Sequence, residues 1–271
     1  MLLNISSLKI DPFDFQDLKE VPRLQPEGWA DIFPSIEYYC KSDFCFPVKA
    51  SLDGKLVGIG TAIIHGHSAW LAHIIVSSDH RNAGIGTAIT KSLIDVCHKN
   101  SCRTLLLIAT ALGEPVYKKF GFEVHTKYLF FDHGTLPPHQ SHQIFEFQKD
   151  FEDALFQLDR SVSGENRKKL LYEHLPSTYL FIEDKQVTGF YIPTLGEGTI
   201  IAEASTAGLA LMKLRAASTN KFCIPVLNES AVNILSQHGF SEIRRASRMI
   251  LGERLSWDGS KIYSRIGGNL G

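Results

Sequence analysis

The segment Val76-Ser-Ser-Asp-His-Arg81-Asn-Ala-Gly84-Ile-Gly86-Thr87 constrains this chain more than any other: an apolar strand end, a short polar loop, two glycines and an amphipathic helix. Before it, Trp70 to Val76 reads as a buried or half-buried strand, and after it Ile85, Ile89, Leu93, Val96 and Cys97 recur at helical spacing. The glycines therefore stand at a helix N-terminus. There the amides of the first turn lack partners and carry the positive end of the helix dipole, so an anion satisfies both needs at once.

Three phosphate-binding patterns compete for such a loop, and spacing separates them. A P-loop requires Lys directly after its last glycine, and none follows Gly86. A dinucleotide fingerprint requires Gly or Ala where Ile89 stands and an acid about twenty residues on, where the chain reads Cys102-Arg-Thr-Leu-Leu-Leu. What remains is [QR]-x-x-G-x-[GA], filled by Arg81, Gly84 and Gly86. This resembles the coenzyme A loop of the GNAT superfamily of N-acetyltransferases. A second motif of that superfamily follows at the expected distance: a strand, Thr104 to Ala109, then a helix closing in Tyr117-x-x-x-Gly121-Phe122. One departure is visible, since many members carry Asn seven residues before the Tyr, where this chain has Thr110.

The resemblance implies a site. Acetyl-CoA is expected along the backbone of Ile74, Ile75 and Val76 and across the loop Arg81, Asn82, Ala83, Gly84, Ile85, Gly86 and Thr87. A side chain at Gly84 or Gly86 would hold that backbone away from the phosphates. Tyr117 is the expected general acid, with its hydroxyl near the thioester sulfur; without the resemblance it reads equally as a packed helix tyrosine. The general base stays open. His73 is a candidate by its near-neutral reference pKa. Strand alternation places it with Leu71 and Ile75, opposite Trp70, Ala72, Ile74 and Val76, which fits a satisfied sheet histidine better than a base. Glu114 and a bound-water relay remain beside it. Freeing an alkyl amine of pKa about 10.4 at neutral pH costs roughly 4–5 kcal/mol, so some route for that proton is required.

Composition narrows the alternatives. A formal net charge of −1 over 271 residues gives no general attraction to nucleic acid or to an anionic membrane, so any anion site is local. Five scattered cysteines with no C-x-x-C pair argue against a disulfide framework and a structural zinc, and fit the reducing cytoplasm. His133, His139 and His142 stand on a proline-containing stretch that would make a poor metal cage, and no metal is expected. The first residues, Met1 to Lys9, lack a signal peptide's pattern, and no run approaches the roughly 18 apolar residues of a spanning helix. An amine acceptor is the expected partner, and a homodimer is left open.

The expected fold is α+β, a mixed and mainly antiparallel sheet, in two tandem GNAT-like domains. In order we expect a strand near Ser7–Ile10, a helix from Asp14, and a helical stretch including Trp29–Cys40. Strands Phe46–Leu52 and Lys55–Ile64 then flank an Asp53-Gly54 turn. After the loop, helix, strand and Tyr117 helix comes a strand through Phe131. The turn-rich stretch Phe131–Gln143 reads as a linker, giving domains 1–135 and 143–271. The second half repeats the first weakly. Asp150-Phe-Glu-Asp153 matches Asp14-Phe-Gln-Asp17, and Gly239-Phe240 matches Gly121-Phe122. Its strand-to-helix stretch, Thr199 to Met212, has no Arg and no second glycine, and Leu235 replaces the Tyr. The second copy is therefore expected to bind no coenzyme A, which leaves Arg81, Gly84 and Gly86 as the one such loop. The rival function is a non-catalytic acyl-CoA-binding regulatory module.

Overall fold

The computed structural model describes residues 7–270; of the N-terminal stretch read for a leader, residues 1–6 lie outside the described residues. The chain forms two compact units. Unit 1 runs through Leu107, resumes at Ala111–Glu123 and is completed by Ile250–Glu253. Unit 2 comprises Ile108–Thr110, Val124–Met249 and Arg254–Gly271.

Unit 1 begins with β1 (Lys9–Pro12), α1 (Phe33–Lys41), β2 (Cys45–Leu52), β3 (Lys55–His65) and β4 (Ser68–Val76). It continues with α2 (Ile85–Lys99), β5 (Thr104–Ala109) and α3 (Glu114–Lys118). The strands lie in the order β1-β2-β3-β4-β5, antiparallel except for β4 and β5. The segment expected as a helix from Asp14 is a 3-10 helix, Phe15–Leu24, with Pro22 inside it. The Asp14 carboxylate accepts from Gln16 N at 2.8 Å, and Asp17 accepts from Asp14 N at 2.9 Å, closing a capping box. The helical stretch expected to include Trp29 starts later, at Phe33. Trp29 lies in a turn, its N–H on Pro26 O at 3.3 Å, with Gly28 in the left-handed region, and Pro34 opens the helix instead.

One contact positions the 81–87 loop. Helix α2 buries Ile85, Ile89, Leu93 and Cys97 against the buried middle of β3. At Gly60 a Cβ would stand 2.6 Å from Ile89 Cγ2 and 3.0 Å from Leu93 Cδ1. Only glycine lets the helix lie this close, and each fully buried Ile or Leu contributes roughly 1.5–3 kcal/mol. Unit 1 ends on chain that arrives late: Thr104 Oγ1 donates to Glu253 O at 2.7 Å, and Glu253 N donates to Arg103 O at 3.0 Å.

Unit 2 contains β6 (Glu123–Asp132), β7 (Ile144–Glu146), α4 (Glu152–Ser163), α5 (Lys168–Tyr172), β8 (Tyr179–Glu183) and β9 (Gln186–Ile192). Then come β10 (Thr199–Ala202), α6 (Ser205–Arg215), β11 (Phe222–Pro225), α7 (Glu229–Gln237), β12 (Ser241–Gly252) and β13 (Ile262–Ser264). One sheet orders β12-β6-β11, the other β13-β10-β9-β8-β7. Leu129, Phe131, Leu211, Met212, Phe222 and Leu235 form the core between the first sheet and helices α6 and α7. The turn-rich stretch is anchored rather than free at its start. Leu136 is buried in this core, Thr135 N donates to His238 O at 3.3 Å, and a Cβ on Gly134 would meet the Phe240 ring. The matched Asp-Phe-x-Asp motifs also differ locally: Asp150 makes no cap, and α4 begins after a short 3-10 turn with Lys149 paired to Glu152.

Candidate functional site

In unit 1, β4 and β5 run parallel, and their register is Ser68↔Thr104, Ala69↔Leu105 and Trp70↔Leu106. The two strands separate there. From Leu71 to Val76 the β5-facing edge of β4 carries backbone groups with no ladder partner among the described residues. Such an edge accepts an extended chain as an added strand would.

At the end of β4 the loop Ser77–Gly84 turns back. Asn82 (φ 61°) and Gly84 (φ 80°) both take the left-handed conformation, and Gly84 caps α2. The first loop-to-helix bond is Ala88 N to Gly84 O at 3.0 Å, so the amides of Ile85, Gly86 and Thr87 point out of the helix with no partner among the described residues. A Cβ at Gly84 would meet nothing within 4 Å, and one at Gly86 only Val76 Cγ2 at 3.7 Å. The protein's own packing does not demand glycine at 86. The cradle is open, and its bare amides suit a phosphate oxygen. Arg81 is exposed, with Nε 3.4 Å from Val76 O, which ties the loop to the end of β4.

His73 stands where the sequence reading is wrong about geometry. Across β3 and β4 the register runs Thr61↔Ala72 and Ile59↔Ile75, so β4 carries an extra residue, and His73 has φ 46°. This bulge breaks the alternation that would put His73 on one face with both Leu71 and Ile75. The imidazole Nδ1 lies 2.8 Å from the Tyr39 hydroxyl, and its ring packs against Tyr39 and Trp29 at centroid distances of 5.6 and 6.3 Å. Burial pulls its pKa from 6.5 down to about 4. The ring is therefore neutral at physiological pH and a weak base.

Tyr117 lies on the five-residue α3 and packs edge-on to Phe122 at 6.1 Å. A Cβ on Gly113 would stand 2.8 Å from the Tyr117 ring and 3.2 Å from its hydroxyl, so a glycine there is what lets the ring fold back over the start of its own helix. Phe122 N donates to Tyr117 O at 3.2 Å, and Gly121 (φ 87°) makes the turn between them. Burial raises the phenol to about 12. Glu114, the other candidate base, is paired with Lys118 at 2.7 Å.

The structure thus gathers Ile74–Val76 with the 81–87 loop, and places His73 with Tyr39 rather than with Tyr117. Two residues that the sequence reading placed only in a helical stretch border the candidate site: Tyr39, which engages His73, and Trp29, which packs beside it. Neither carried a motif; the one signal was the turn-forming Pro26 and Gly28 ahead of Trp29. Among the described residues no group of three His, Cys, Asp or Glu side chains could hold a metal ion, and no helix is long and apolar enough to cross a membrane.

Comparison with known proteins bears on both halves. Residues 13–122 match the model of the acetyltransferase (GNAT) family, and residues 155–264 that of the acetyltransferase (GNAT) domain. No curated protein matches. Among solved structures, a "Putative Acetyltransferase" from Pyrococcus horikoshii superposes with TM-score 0.83 at 19% identity, covering 97% of this chain and 95% of that one. A GCN5-related N-acetyltransferase from Sphaerobacter thermophilus gives TM-score 0.63 at 13% identity over 93% and 99%. A tandem GNAT protein from the clavulanic acid biosynthesis pathway gives 0.60 at 12% over 90% and 98%. At such identities the likeness is one of fold.

Proposed function

The chain belongs to the GNAT acetyltransferase family as a tandem of two such domains, and from this we propose that its first domain transfers the acetyl group of acetyl-CoA directly to a primary amine of a small molecule or protein. The observation that carries the reading is the combination at the end of β4: an unpaired strand edge running into a left-handed loop whose helix amides are bare. Pantetheine fits the first as an added strand, and the pyrophosphate fits the second.

Tyr117 is the general acid in this proposal, with a restriction set by its burial. Against a thiolate of pKa about 8.5, a phenol near 12 gives up its proton only at a cost of about 5 kcal/mol. Its contribution is a hydrogen bond to the sulfur as negative charge develops there, with the proton following as the thiolate leaves. His73 acts as a positioning residue. A base of pKa about 4 cannot compete for the proton of an ammonium near 10.4. Its neutral ring, held by Tyr39, instead offers a fixed polar wall, and the amine proton leaves through water.

The test is calorimetric titration of the full chain with acetyl-CoA alongside thiol release measured over a panel of amines. One bound acetyl-CoA per chain and amine-dependent thiol release are expected. Tight binding with no release for any amine would instead favour a regulatory acyl-CoA-binding module.

A further inference from the structure

The open edge of β4 has a definite length and a closed end. It runs from Val76 back to Leu71 and stops at the rung Trp70↔Leu106, the last that joins β4 to β5 among the described residues. At its other end, Val76 Cγ2 lies 3.7 Å from where a Cβ on Gly86 would stand, so the bare amides of α2 sit beside Val76. A pantetheine arm has about twelve bonds between its phosphate and its sulfur, the reach of about four residues of extended chain. The bulge at His73 takes up one residue of β4. An arm laid along the edge from Val76 therefore brings its sulfur to Leu71 and Ala72, directly short of the closing rung.

The side chains at that point differ sharply in size. A Cβ on Gly60 would meet Ile89 and Leu93, so Gly60 faces α2, and by strand alternation Thr61 and Ile63 face away from it. Ala72 pairs with Thr61 and Trp70 with Ile63, which puts both on the side turned from α2. Leu106, opposite Trp70 in the parallel pair, shares that side. Ala72 adds only a methyl at the level of the sulfur. The next side chain on that side is the indole of Trp70, and it is fully buried together with Leu106 and Ile63.

We infer that Trp70, flanked by Leu106, sets the length of the acyl group, so that the chain takes acetyl- or propionyl-CoA and excludes longer acyl donors. The inference rests on the proposed function, since it requires coenzyme A to lie along β4. A carbonyl and one or two carbons fit beside Ala72. Each further methylene runs into the indole, and side chains packed at the density of a protein interior give way only at a cost.

The test titrates the full chain calorimetrically with coenzyme A, acetyl-CoA, butyryl-CoA and hexanoyl-CoA. Coenzyme A and acetyl-CoA are expected to bind within about threefold of each other, and hexanoyl-CoA about tenfold or more weakly than acetyl-CoA, the discrimination that one unaccommodated methylene can produce. Trp70→Leu keeps an apolar side chain and removes the indole. It is expected to bring hexanoyl-CoA to within about threefold of acetyl-CoA. Trp70→Phe disturbs the core less and is expected to narrow the gap between butyryl-CoA and acetyl-CoA. Hexanoyl-CoA bound as tightly as acetyl-CoA by the unsubstituted chain would overturn the inference, whatever the variants do. So would discrimination that persists unchanged in whichever of the two variants still unfolds cooperatively on heating. A chain that binds coenzyme A and hexanoyl-CoA equally loses the acyl limit and keeps its cofactor site, whereas a chain that binds no coenzyme A at all loses the proposed function itself.

Discussion

The two strand-to-helix junctions of this chain descend from one pattern and have opposite fates. In unit 1, β4 passes through residues 77–84 before α2 begins, and the strand's far edge is open beyond Trp70. In unit 2, β10 reaches α6 through Glu203 and Ala204 alone, with no left-handed residue, and its far edge is taken. Strand β13 pairs with β10, Ile200 against Ser264 and Ile201 against Ile262, and packs beside β11 as well. Tyr263 then lays its ring where a Cβ on Gly208 would be, at 2.3 Å, and Asn228 fixes the strand by donating to Ile262 O at 3.0 Å. The protein's own C-terminal strand occupies the position that an extended ligand has available in unit 1. Loss of an arginine and a glycine is the smaller part of the degeneration; the larger part is that the groove has become core.

This contrast can be broken most strongly at the glycines of the two junctions. Gly86→Glu is expected to weaken acetyl-CoA binding about 100-fold or more, by placing a carboxylate against a phosphate, with little change in melting temperature; calorimetry and thermal unfolding read the two. Tyr117→Phe is expected to lower kcat about tenfold or more while leaving the acetyl-CoA Kd unchanged. Its counterpart Leu235→Ala should do the reverse. Leu235 is fully buried, so about 2–5 kcal/mol of unfolding free energy is lost in denaturant titration, with acetyl-CoA affinity untouched. Gly208→Ala is expected to cost about 1–3 kcal/mol of stability by pressing on Tyr263, whereas Gly86→Ala, which has room at a place where the motif admits Ala, spares stability and binding alike.

A pH-dependent effect separates His73 from a surface histidine. Its folded pKa of about 4 lies below the unfolded 6.5, so between these values the unfolded chain binds more protons. This contribution to stability is fully present above pH 6.5 and is lost as pH falls through 4. It is worth on the order of 3 kcal/mol at most. His73→Gln should flatten that part of the stability profile. A pH–rate limb near 6.5 that disappeared in the same variant would show His73 acting as the base after all.

The candidate cofactor loop was legible because phosphate recognition by backbone demands glycines at fixed spacing, whatever surrounds them. The tandem organisation was legible because the ending Gly121-Phe122 recurs as Gly239-Phe240. Asn228 proves to be a helix cap, accepting from Ala231 N at 3.0 Å, whereas α3, with Thr110 in the corresponding place, has no side-chain cap and is five residues long. What stayed hidden depends on register and tertiary packing. No residue type announces a bulge at His73, since a histidine with φ 46° is held there by its neighbours. Three residues, Ile262–Ser264, are too short to show a period, so the strand that fills the second groove could not be read. Trp29 belongs to a loop closed by the Gln25 side-chain amide, which donates to Ala30 O and accepts from Ile32 N, and no spacing rule encodes that.

The four residues Ile250–Glu253 that complete unit 1 impose an order in time. At a ribosomal rate of roughly 5–20 residues per second, they emerge on the order of ten seconds after Glu123, the last residue of the unit's main stretch. Until then the edge of β5 beside Arg103 and Thr104 lacks the strand it will hydrogen-bond. A nascent chain in this interval carries an exposed sheet edge open to pairing with a neighbouring polypeptide. Unit 1 therefore reaches its final form only after residue 253, well beyond its own main stretch, has been synthesised.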